Sequence, residues 1–385
     1  MYVHIPWCVQ KCPYCDFNSH TQKGAIPEDD YIDALLDDLD TDLAAYPSMV
    51  TRPLHSIFIG GGTPSLMSPA QIDRLLAGVN ARLTPSDNME VTMEANPGTV
   101  EADKFIGYRQ AGVTRISIGV QSFSADKLTR LGRIHGPGEA ERAAHLAHQA
   151  GLTSFNLDLM HGLPDQSEQE ALSDLDQAIA LKPPHISWYQ LTIEPNTQFY
   201  SKPPTLPEED TLWDIFDQGH QRLTDAGYVQ YETSAYSLPG HQCAHNLNYW
   251  RFGDYLGIGC GAHGKLTLPD GEQLRLLRTV KVKHPRGYLD PDKAYLTDSQ
   301  WVKHTDLGFE FFMNRFRLLE PCPKADFVSH TGLPLSHLAA PISQACEQGL
   351  ITETTTHWQI TPKGKLFLND LLAIFFSGLM QQTVC

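Results

Sequence analysis

The first half of the chain alternates short apolar segments with longer segments of helical periodicity. The apolar segments are rich in β-branched residues and are bounded by Gly, Pro or Asn, which is typical of buried strands. They predict strands at 2–5, 56–59, 90–94, 115–119, 154–159 and 185–191. Hydrophobic residues at helical spacing between them predict helices at 28–46, 69–82, 101–111, 124–131, 138–150 and 168–181.

Repeated strand–helix units indicate a parallel sheet. The predicted units are too few for a closed eight-stranded barrel, so the pattern predicts an α/β fold built on a partial (β/α)6 barrel. In such barrels the chemistry gathers at the carboxyl ends of the strands. The unusual residues of this half fall at those ends: the loop 8–15, the run 60–65, Glu94, Gln121, Asp158 and Thr192.

The pattern changes after about residue 225. Residues 228–236 predict a strand, 257–264 form a Gly-rich run, and 266–300 predict a hairpin followed by a loop. The tail predicts helices at 309–319 and 335–348, a hairpin at 350–352 and 358–361, and a final helix at 362–376. That order predicts a winged-helix-like module at the end of an α+β extension. The predicted domains are therefore a barrel over 1–225, an extension over 226–308 and the C-terminal module over 309–385.

Charge and hydropathy exclude some classes of function. The chain has 385 residues, with 45 acidic and 29 basic side chains, so its formal net charge is −16. An acidic chain is a poor candidate for binding nucleic acid through phosphates, even with a winged-helix-like tail. No apolar run approaches the ~20 residues that cross a bilayer, and the start lacks the basic and apolar regions of a secretory leader. We therefore expect a cytoplasmic protein.

One helix carries a concentration of acidic residues between positions 28 and 42. The apolar residues of the same segment share one helical face, so we interpret the acidic residues as its solvated face. The acidic set is Glu28, Asp29, Asp30, Asp33, Asp37, Asp38, Asp40 and Asp42, and the apolar set is Ile32, Leu35, Leu36, Leu39 and Leu43. An acidic docking surface is the alternative.

Three cysteines follow the first predicted strand. Cys8, Cys12 and Cys15 can hold one metal centre from a single loop, and the next cysteine in the chain is Cys243. Structural zinc and four-iron clusters usually have four protein ligands. Three cysteines therefore predict a [4Fe-4S] cluster with one iron open to a further ligand. A structural zinc loop or buried free thiols are the alternatives.

The C-x-x-x-C-x-x-C spacing is that of the radical SAM superfamily, whose open iron binds S-adenosylmethionine (SAM). Over essentially its whole length the chain resembles the oxygen-independent coproporphyrinogen oxidases of that superfamily, and within them the branch regarded as haem chaperones. The resemblance is carried by the motifs at 2–8, 12–17, 60–65, 93–97, 118–123, 158–164, 245–250 and 257–264.

The resemblance implies roles for particular residues. Tyr2 and Gly62 would lie against the cluster-bound SAM, and Glu94 would hold its ribose or amino group. In the decarboxylating relatives a second SAM is bound at positions that match Thr63, Gln121, Arg133 and Asp158, and the same cavity would be lined by Thr192, Ala262 and His263. The Gly60–Gly62 run lets the backbone approach a ligand, whose charged end its amides could contact. Taken alone, the glycines are equally consistent with a tight turn, and the carboxylates with ion pairs at a barrel rim.

Two departures from the decarboxylases bear on function. Phe17 stands where those enzymes have a further cysteine, and the chain begins on the first strand without their N-terminal segment. Both disfavour SAM-dependent decarboxylation of coproporphyrinogen III in porphyrin biosynthesis. That reaction remains the alternative function, ahead of another radical SAM reaction on a different tetrapyrrole. Whether the protein is an enzyme stays open.

The segment His245-Asn246-x-x-Tyr249-Trp250 is a signature of the haem-chaperone branch. His245 could ligate haem iron, and the two aromatic side chains offer flat apolar surface. A structural histidine beside packed aromatics is the alternative, and His241, Cys243 and His263 are competing ligands. The resemblance implies haem as cargo and haem-acceptor proteins, such as respiratory cytochromes, as partners. The particular acceptor, the oligomeric state and any peripheral membrane contact stay open.

Overall fold

The computed structural model of the protein describes residues 1–99, 102–271 and 273–381. Its first part contains the strands Tyr2–Ile5 (β1), Trp7–Cys8 (β2), His20–Thr21 (β3), Leu54–Gly61 (β4), Pro85–Ala95 (β5), Arg115–Gln121 (β6), Ser154–His161 (β7) and His185–Gln190 (β8). The helices of this part are Glu28–Ala45 (α1), Pro69–Asn80 (α2), Ala102–Gln110 (α3), Ala125–Arg130 (α4), Pro137–Gln149 (α5), Glu168–Ala180 (α6), Gln198–Ser201 (α7) and Glu209–Asp225 (α8). The predicted strands and helices are confirmed, except that position 101 of one predicted helix lies outside the described residues.

Helix α8 was not predicted, and its sequence explains why. It carries Gly219 in its interior, and glycine disfavours a helix by about 1 kcal/mol relative to alanine. A Cβ atom at this position would lie 1.9 Å from the ring of Trp188 in β8. The glycine is therefore required by the packing of α8 on the sheet, which the local pattern does not show.

The main sheet has nine strands and is mostly parallel. Strands β1, β4, β5, β6, β7 and β8 pair in parallel in this order. Val229–Glu232 (β9) and Ala235–Ser237 (β10) add an antiparallel end next to β8. The single strand predicted at 228–236 is thus wrong, because the chain reverses at 233–234, where Ser234 N donates to the Glu232 carboxylate at 3.0 Å. The predicted α/β fold with a partial (β/α)6 barrel is confirmed.

The next part of the chain contains Ala244–Trp250 (α9), Gly257–Gly259 (β11), His263–Asp270 (β12), Gln273–Lys281 (β13), Pro285–Tyr288 (α10) and Leu296–Trp301 (β14). Strand β11 pairs in parallel with β1 and completes the other end of the main sheet. Strands β12, β13 and β14 form a separate antiparallel sheet. The prediction of a hairpin and loop over 266–300 therefore missed a third strand. All residues of that strand are exposed, so its sequence lacks the alternation of buried and exposed side chains that indicates a strand.

The C-terminal part contains Leu307–Arg315 (α11), Cys322–Pro323 (β15), Lys324–Thr331 (α12), Ala339–Glu347 (α13), Ile351–Glu353 (β16), His357–Ile360 (β17), Pro362–Leu366 (α14) and Leu368–Gln381 (α15). Its sheet has the order β15-β17-β16, as in a winged helix. A separate aromatic core holds it together, with Phe312 in contact with Phe375 and Trp358 at ring distances of 4.3 and 5.3 Å. The domain boundaries at 225 and 308 stay a prediction, and residues 382–385 lie outside the described part.

Strands of the barrel are buried on both faces, but the two faces differ in chemistry. In β7, Leu157 and Leu159 are buried in the main hydrophobic core, whereas Asn156 and Asp158 hydrogen-bond to Ser117 of β6. This follows from the alternation of side chains along a strand. The barrel therefore has an apolar outside beneath its helices and a polar lumen. Among the described residues, no helix is long and apolar enough to cross a membrane.

The interpretation of the acidic residues on α1 as a solvated face is wrong for Asp38 and Asp42. Both are buried, and Lys281 of β13 lies 2.6 Å from a carboxylate oxygen of each. Asp38 also accepts hydrogen bonds from Tyr288 and from the amide of Gly259 in β11. This buried ion triad therefore attaches the extension to the first helix of the barrel.

Removal of the triad's cation should destabilise the fold. We expect Lys281→Ala to lower the free energy of unfolding by about 3–5 kcal/mol, because Asp38 and Asp42 would stay buried without a cation. Guanidinium unfolding followed by circular dichroism measures this change. Lys283→Ala, two residues away and exposed, is the matched control. A loss no larger than the control's would show that the triad contributes little.

Candidate cofactor site at the carboxyl end of the barrel

The three motif cysteines lie on one loop whose base is closed by backbone pairing. Strands β2 and β3 pair in parallel, with Trp7 opposite His20 and Cys8 opposite Thr21. The loop between them carries Cys12 and Cys15, and a turn joins Cys15 N to Cys12 O at 3.2 Å. All three cysteines line one cavity of about 600 Å³, here called the main cavity.

The chemistry of this loop fits an iron–sulfur cluster. Within residues 1–99, 102–271 and 273–381, no three His, Cys, Asp or Glu side chains converge on one single-ion position. A four-iron cluster does not need such convergence, because each thiolate binds a different iron. Burial raises the pKa of the Cys8 and Cys15 thiols above the ordinary value. A bound metal centre would reverse this, since coordination deprotonates a thiol.

The glycine run at the end of β4 is required by close packing. Gly61 has φ +113°, and a Cβ atom there would lie 2.4 Å from the ring of His4. A Cβ atom on Gly62 would lie 2.5 Å from the carbonyl oxygen of Trp7. The amides of Gly61 and Gly62 already donate to Glu94 and to Ile5 O. A ligand contact of the amides and carbonyls of this run stays a prediction. In the structure the two glycines bring β4 against the cysteine loop.

Glu94 and Asp158 are two carboxylates of the main cavity with different surroundings. Asp158 accepts hydrogen bonds from Ser117 and Asn156, each at 2.8 Å. Glu94 accepts one from Gly61 N at 2.9 Å. Burial raises the pKa of Glu94 to about 8, with a smaller contribution from the charge of Asp158, and the Gly61 amide opposes the shift. Glu94 therefore retains acceptor capacity for an ammonium group or ribose hydroxyls.

Arg133 ties the cysteine loop to the barrel strands. Its guanidinium donates to Asn96, to Gly119 O at 2.7 Å and to the Cys12 sulfur at 3.8 Å. Asn96 in turn donates to Thr63 at 3.0 Å. The structure thus brings together Thr63, Arg133 and Cys12 through Asn96, which sequence reasoning did not select. Its signal was its place directly after β5, within the motif at 93–97.

Gln121 and Thr192 also line the main cavity. Gln121 has φ +68°, a conformation that non-glycine residues rarely adopt and that clusters at functional sites. Its side-chain oxygen accepts a hydrogen bond from Tyr189 at 2.9 Å, and Thr192 donates to Glu194 at 2.9 Å. Tyr189 was missed, although it lies near the carboxyl end of β8.

A second cavity of about 390 Å³ adjoins the main one and shares Gly61, Glu94 and Phe17 with it. Its other lining residues are Tyr2, His4, Asn18, Tyr249, Tyr255, Gly261 and His263. Tyr2 hydrogen-bonds to His4, whose other ring nitrogen lies 2.8 Å from Asn18 O in the cysteine loop. His4 was also missed by sequence reasoning. Ala262 is buried and lines neither cavity.

The haem-signature segment is divided among three environments. His245 is 1% exposed, lies 3.1 Å from Ser56 and stacks on Phe58, so it lines neither cavity. Tyr249 lines the second cavity and Trp250 the main one. The axial-ligand role of His245 stays a prediction that requires movement of α9. Among its competitors, His263 lines the second cavity, while Cys243 is buried against Glu90.

The surroundings of Glu94 predict a pH-dependent stability. Its folded pKa of about 8 lies above the ordinary value of 4.5, so the folded protein retains a proton that the unfolded chain releases between these values. The free energy of unfolding should fall by about 2–4 kcal/mol as the pH rises through this range. Glu94→Gln should remove most of that fall in protein without added ligand.

Guanidinium unfolding at several pH values compares the wild type with Glu94→Gln. Glu209→Gln, on the exposed first turn of α8, is the control. Parallel pH profiles for wild type and Glu94→Gln would contradict the assignment of the slope to this carboxyl.

Comparison with known proteins agrees with this architecture. Residues 2–178 match the Radical SAM superfamily, and residues 302–367 match the HemN C-terminal domain. In structure, the chain is similar to coproporphyrinogen III oxidase (HemN) from Escherichia coli, with a TM-score of 0.81, 22% identity and coverage of 97% of this chain and 89% of that one. At that identity the similarity shows the fold alone.

Relatives at higher identity carry a different name. The Heme chaperone HemW of Escherichia coli K12 is 63% identical over 377 residues, which are 98% of each chain. That of Haemophilus influenzae is 61% identical over 98% of this chain and 97% of the relative. That of Bacillus subtilis is 32% identical over 98% of this chain and 99% of the relative. The chain therefore belongs to the heme chaperone HemW family of radical SAM proteins.

Proposed function

We propose that the protein binds haem and delivers it to haem-dependent proteins, such as respiratory cytochromes. The observation that carries this proposal is the 63% identity, over 98% of both chains, to a relative named Heme chaperone HemW. The structure supports it with a cysteine-lined cavity and an adjoining aromatic cavity.

In this proposal the cysteine loop holds a [4Fe-4S] cluster through Cys8, Cys12 and Cys15. A cluster held by these three thiolates would leave one iron open for the amino and carboxylate groups of SAM. Glu94 and Tyr2 would contact SAM next to the Gly61–Gly62 segment, where close packing leaves the ligand near the backbone. Arg133 and Asn96 hold the loop in place from the barrel side.

Phe17 distinguishes this site from that of a decarboxylase. Its side chain is 57% exposed and lines both cavities, at the position where the decarboxylating relatives have a further cysteine. An exposed phenyl ring contributes apolar contact but no thiol chemistry. This supports transport of a tetrapyrrole over oxidation of coproporphyrinogen III, which remains the alternative function.

The haem would contact aromatic side chains that line the two cavities. Tyr249 packs edge-on against Tyr255, with ring centroids 4.5 Å apart. His263 offers an imidazole in the same cavity without movement of α9, whereas His245 offers one only after such movement. We keep both as candidate axial ligands. Thr63, Gln121, Arg133 and Asp158 would form the part of the main cavity that holds a second SAM in the decarboxylating relatives, and Thr192 lines the same cavity.

The cluster assignment predicts the effect of removing the thiols. The variant with Cys8, Cys12 and Cys15 all replaced by Ala should lose its iron, its sulfide and the brown absorbance after anaerobic reconstitution, because thiolates are the only ligands proposed. Cys346→Ala, a half-buried cysteine of α13, is the control and should keep them. A triple variant with a full complement of iron and sulfide would contradict the assignment.

The chaperone function predicts transfer without conversion. The reconstituted protein should bind ferric haem and pass it to a haem-free cytochrome, which a shift of the Soret band to that of the acceptor measures. It should release no carbon dioxide from coproporphyrinogen III in the presence of SAM and reductant, since Phe17 replaces the additional cysteine.

The coproporphyrinogen III oxidase of similar fold is the positive control for the second assay. Stoichiometric, SAM-dependent release of carbon dioxide by this protein would overturn the chaperone proposal in favour of the oxidase. Haem binding without transfer to any haem-free cytochrome would limit the protein to storage of haem.

A further inference from the structure

Two arginines, Arg133 and Arg317, line the main cavity, and their surroundings differ. Arg133 donates to Asn96, Gly119 and Cys12, so its guanidinium is engaged by the cysteine loop and the barrel. Arg317 comes from the loop after α11, in the C-terminal part of the chain. Its guanidinium lies over the ring of Trp250, 4.4 Å from the centroid. Arg317 is therefore the cavity arginine whose position depends on stacking.

Arg317 and Trp250 both carry donors without an acceptor. Among the described residues, Arg317 Nε and Trp250 Nε1 are buried nitrogens that have no hydrogen-bond partner. Each of these groups can only donate a hydrogen bond. Buried polar groups in native proteins are normally hydrogen-bonded, so two neighbouring donors without an acceptor require an explanation. An oxygen-rich anion bound beside the stacked pair would accept hydrogen bonds from these donors.

The nearest carboxylate of the protein does not fill this role. Glu232 Oε2 lies 3.7 Å from Arg317 Nη2, which is an ion pair longer than a hydrogen bond. The other oxygen of Glu232 accepts from Ser234 N at 3.0 Å. The pair balances charge at the junction of β9 and the C-terminal module and leaves guanidinium donors for a ligand.

The position of Arg317 in the cavity favours an anion there. Ser234 and Asn246 line the same region, and Trp188 N donates to Ser234 O at 2.8 Å within the barrel sheet. Glu94 and Asp158 line the part of the cavity beside Gly61 and Ser117. Those two acids offer a carboxylate no cation, whereas the Arg317 guanidinium attracts one.

We propose that Arg317, oriented by Trp250, binds a carboxylate of the ligand in the main cavity. The inference rests on the proposed function, in which the ligand is haem and the carboxylate is one of its propionates. A planar guanidinium pairs with a carboxylate through two parallel hydrogen bonds. Stacking on Trp250 fixes the plane of the Arg317 guanidinium before a ligand binds. The role of Trp250 is then to hold Arg317, because one face of its ring is covered and is not available to a porphyrin. The other source of a carboxylate is the methionine part of SAM.

The test compares ferric haem with its dimethyl ester, which lacks both carboxylates. Full-length protein with its cluster is titrated with each pigment, and Soret absorbance reports affinity. We expect the wild type to bind the diacid about ten- to a hundredfold more tightly than the ester, as for hydrogen bonds to charged groups. Arg317→Gln should bind both pigments equally. Arg317→Lys keeps the positive charge but cannot form two parallel hydrogen bonds. It should therefore show part of the wild-type preference for the diacid.

Arg286→Gln, an exposed arginine of α10, is the control and should keep the wild-type preference. SAM affinity, measured separately, should be unchanged in Arg317→Gln. If that variant lost SAM affinity and kept the preference for the diacid, the carboxylate would be that of SAM and the proposal would be overturned. Equal loss of affinity for both pigments would show a structural role for Arg317 and would overturn it too.

The two proposals fail in different ways. A wild type that binds both pigments with equal affinity would overturn the carboxylate site and leave haem binding intact. A wild type that binds neither pigment would overturn the proposed function and this site with it.

Discussion

The contact between β1 and the end of β4 is so close that it excludes side chains, and the candidate site depends on it. At Gly61 and Gly62 a Cβ atom would overlap the ring of His4 or the backbone of Trp7. Because the two strand ends meet there, the cysteine loop that follows β1 lies directly beside the residues that follow β4. The same contact lets the Gly61 amide reach Glu94 and places His4 between Tyr2 and the loop. Cluster ligands, glycines and carboxylate are thus positioned by one packing constraint.

The lumen of the barrel is stabilised by polar contacts, but not uniformly. Asn156 hydrogen-bonds to Ser117, Asp158 and His185, and His185 hydrogen-bonds to Tyr231. The polar side chains in this part of the lumen therefore pair with one another. The Arg317–Trp250 pair carries two buried donors without a partner, and Glu94 accepts one hydrogen bond, from Gly61 N. Buried polar groups without partners concentrate at functional sites, where a ligand can provide the missing hydrogen bonds. Glu94, Trp250 and Arg317 all line the main cavity, where we propose that ligands bind.

Similarity of fold and identity of sequence give different information about function here. The structure superposes on an oxidase with a TM-score of 0.81 at 22% identity, while full-length relatives at 63 and 61% identity are named heme chaperones. One fold supports several functions, and the difference lies in the residues at the site. Phe17 lines both cavities, and we propose it as such a residue.

Local periodicity and motif spacing were sufficient to predict the barrel, the winged-helix-like tail and a cysteine loop near glycines and carboxylates, because these features depend on neighbours in sequence. Features set by distant residues were not predictable. Asp38 and Asp42 were predicted to be solvated, but in the structure Lys281, which belongs to another sheet, pairs with both. His245 was predicted as a ligand, but Phe58 of β4 stacks on its ring. Helix α8 was missed because of Gly219, which is required by packing against Trp188. Burial and pairing across the fold decide these cases, and a local sequence pattern contains neither.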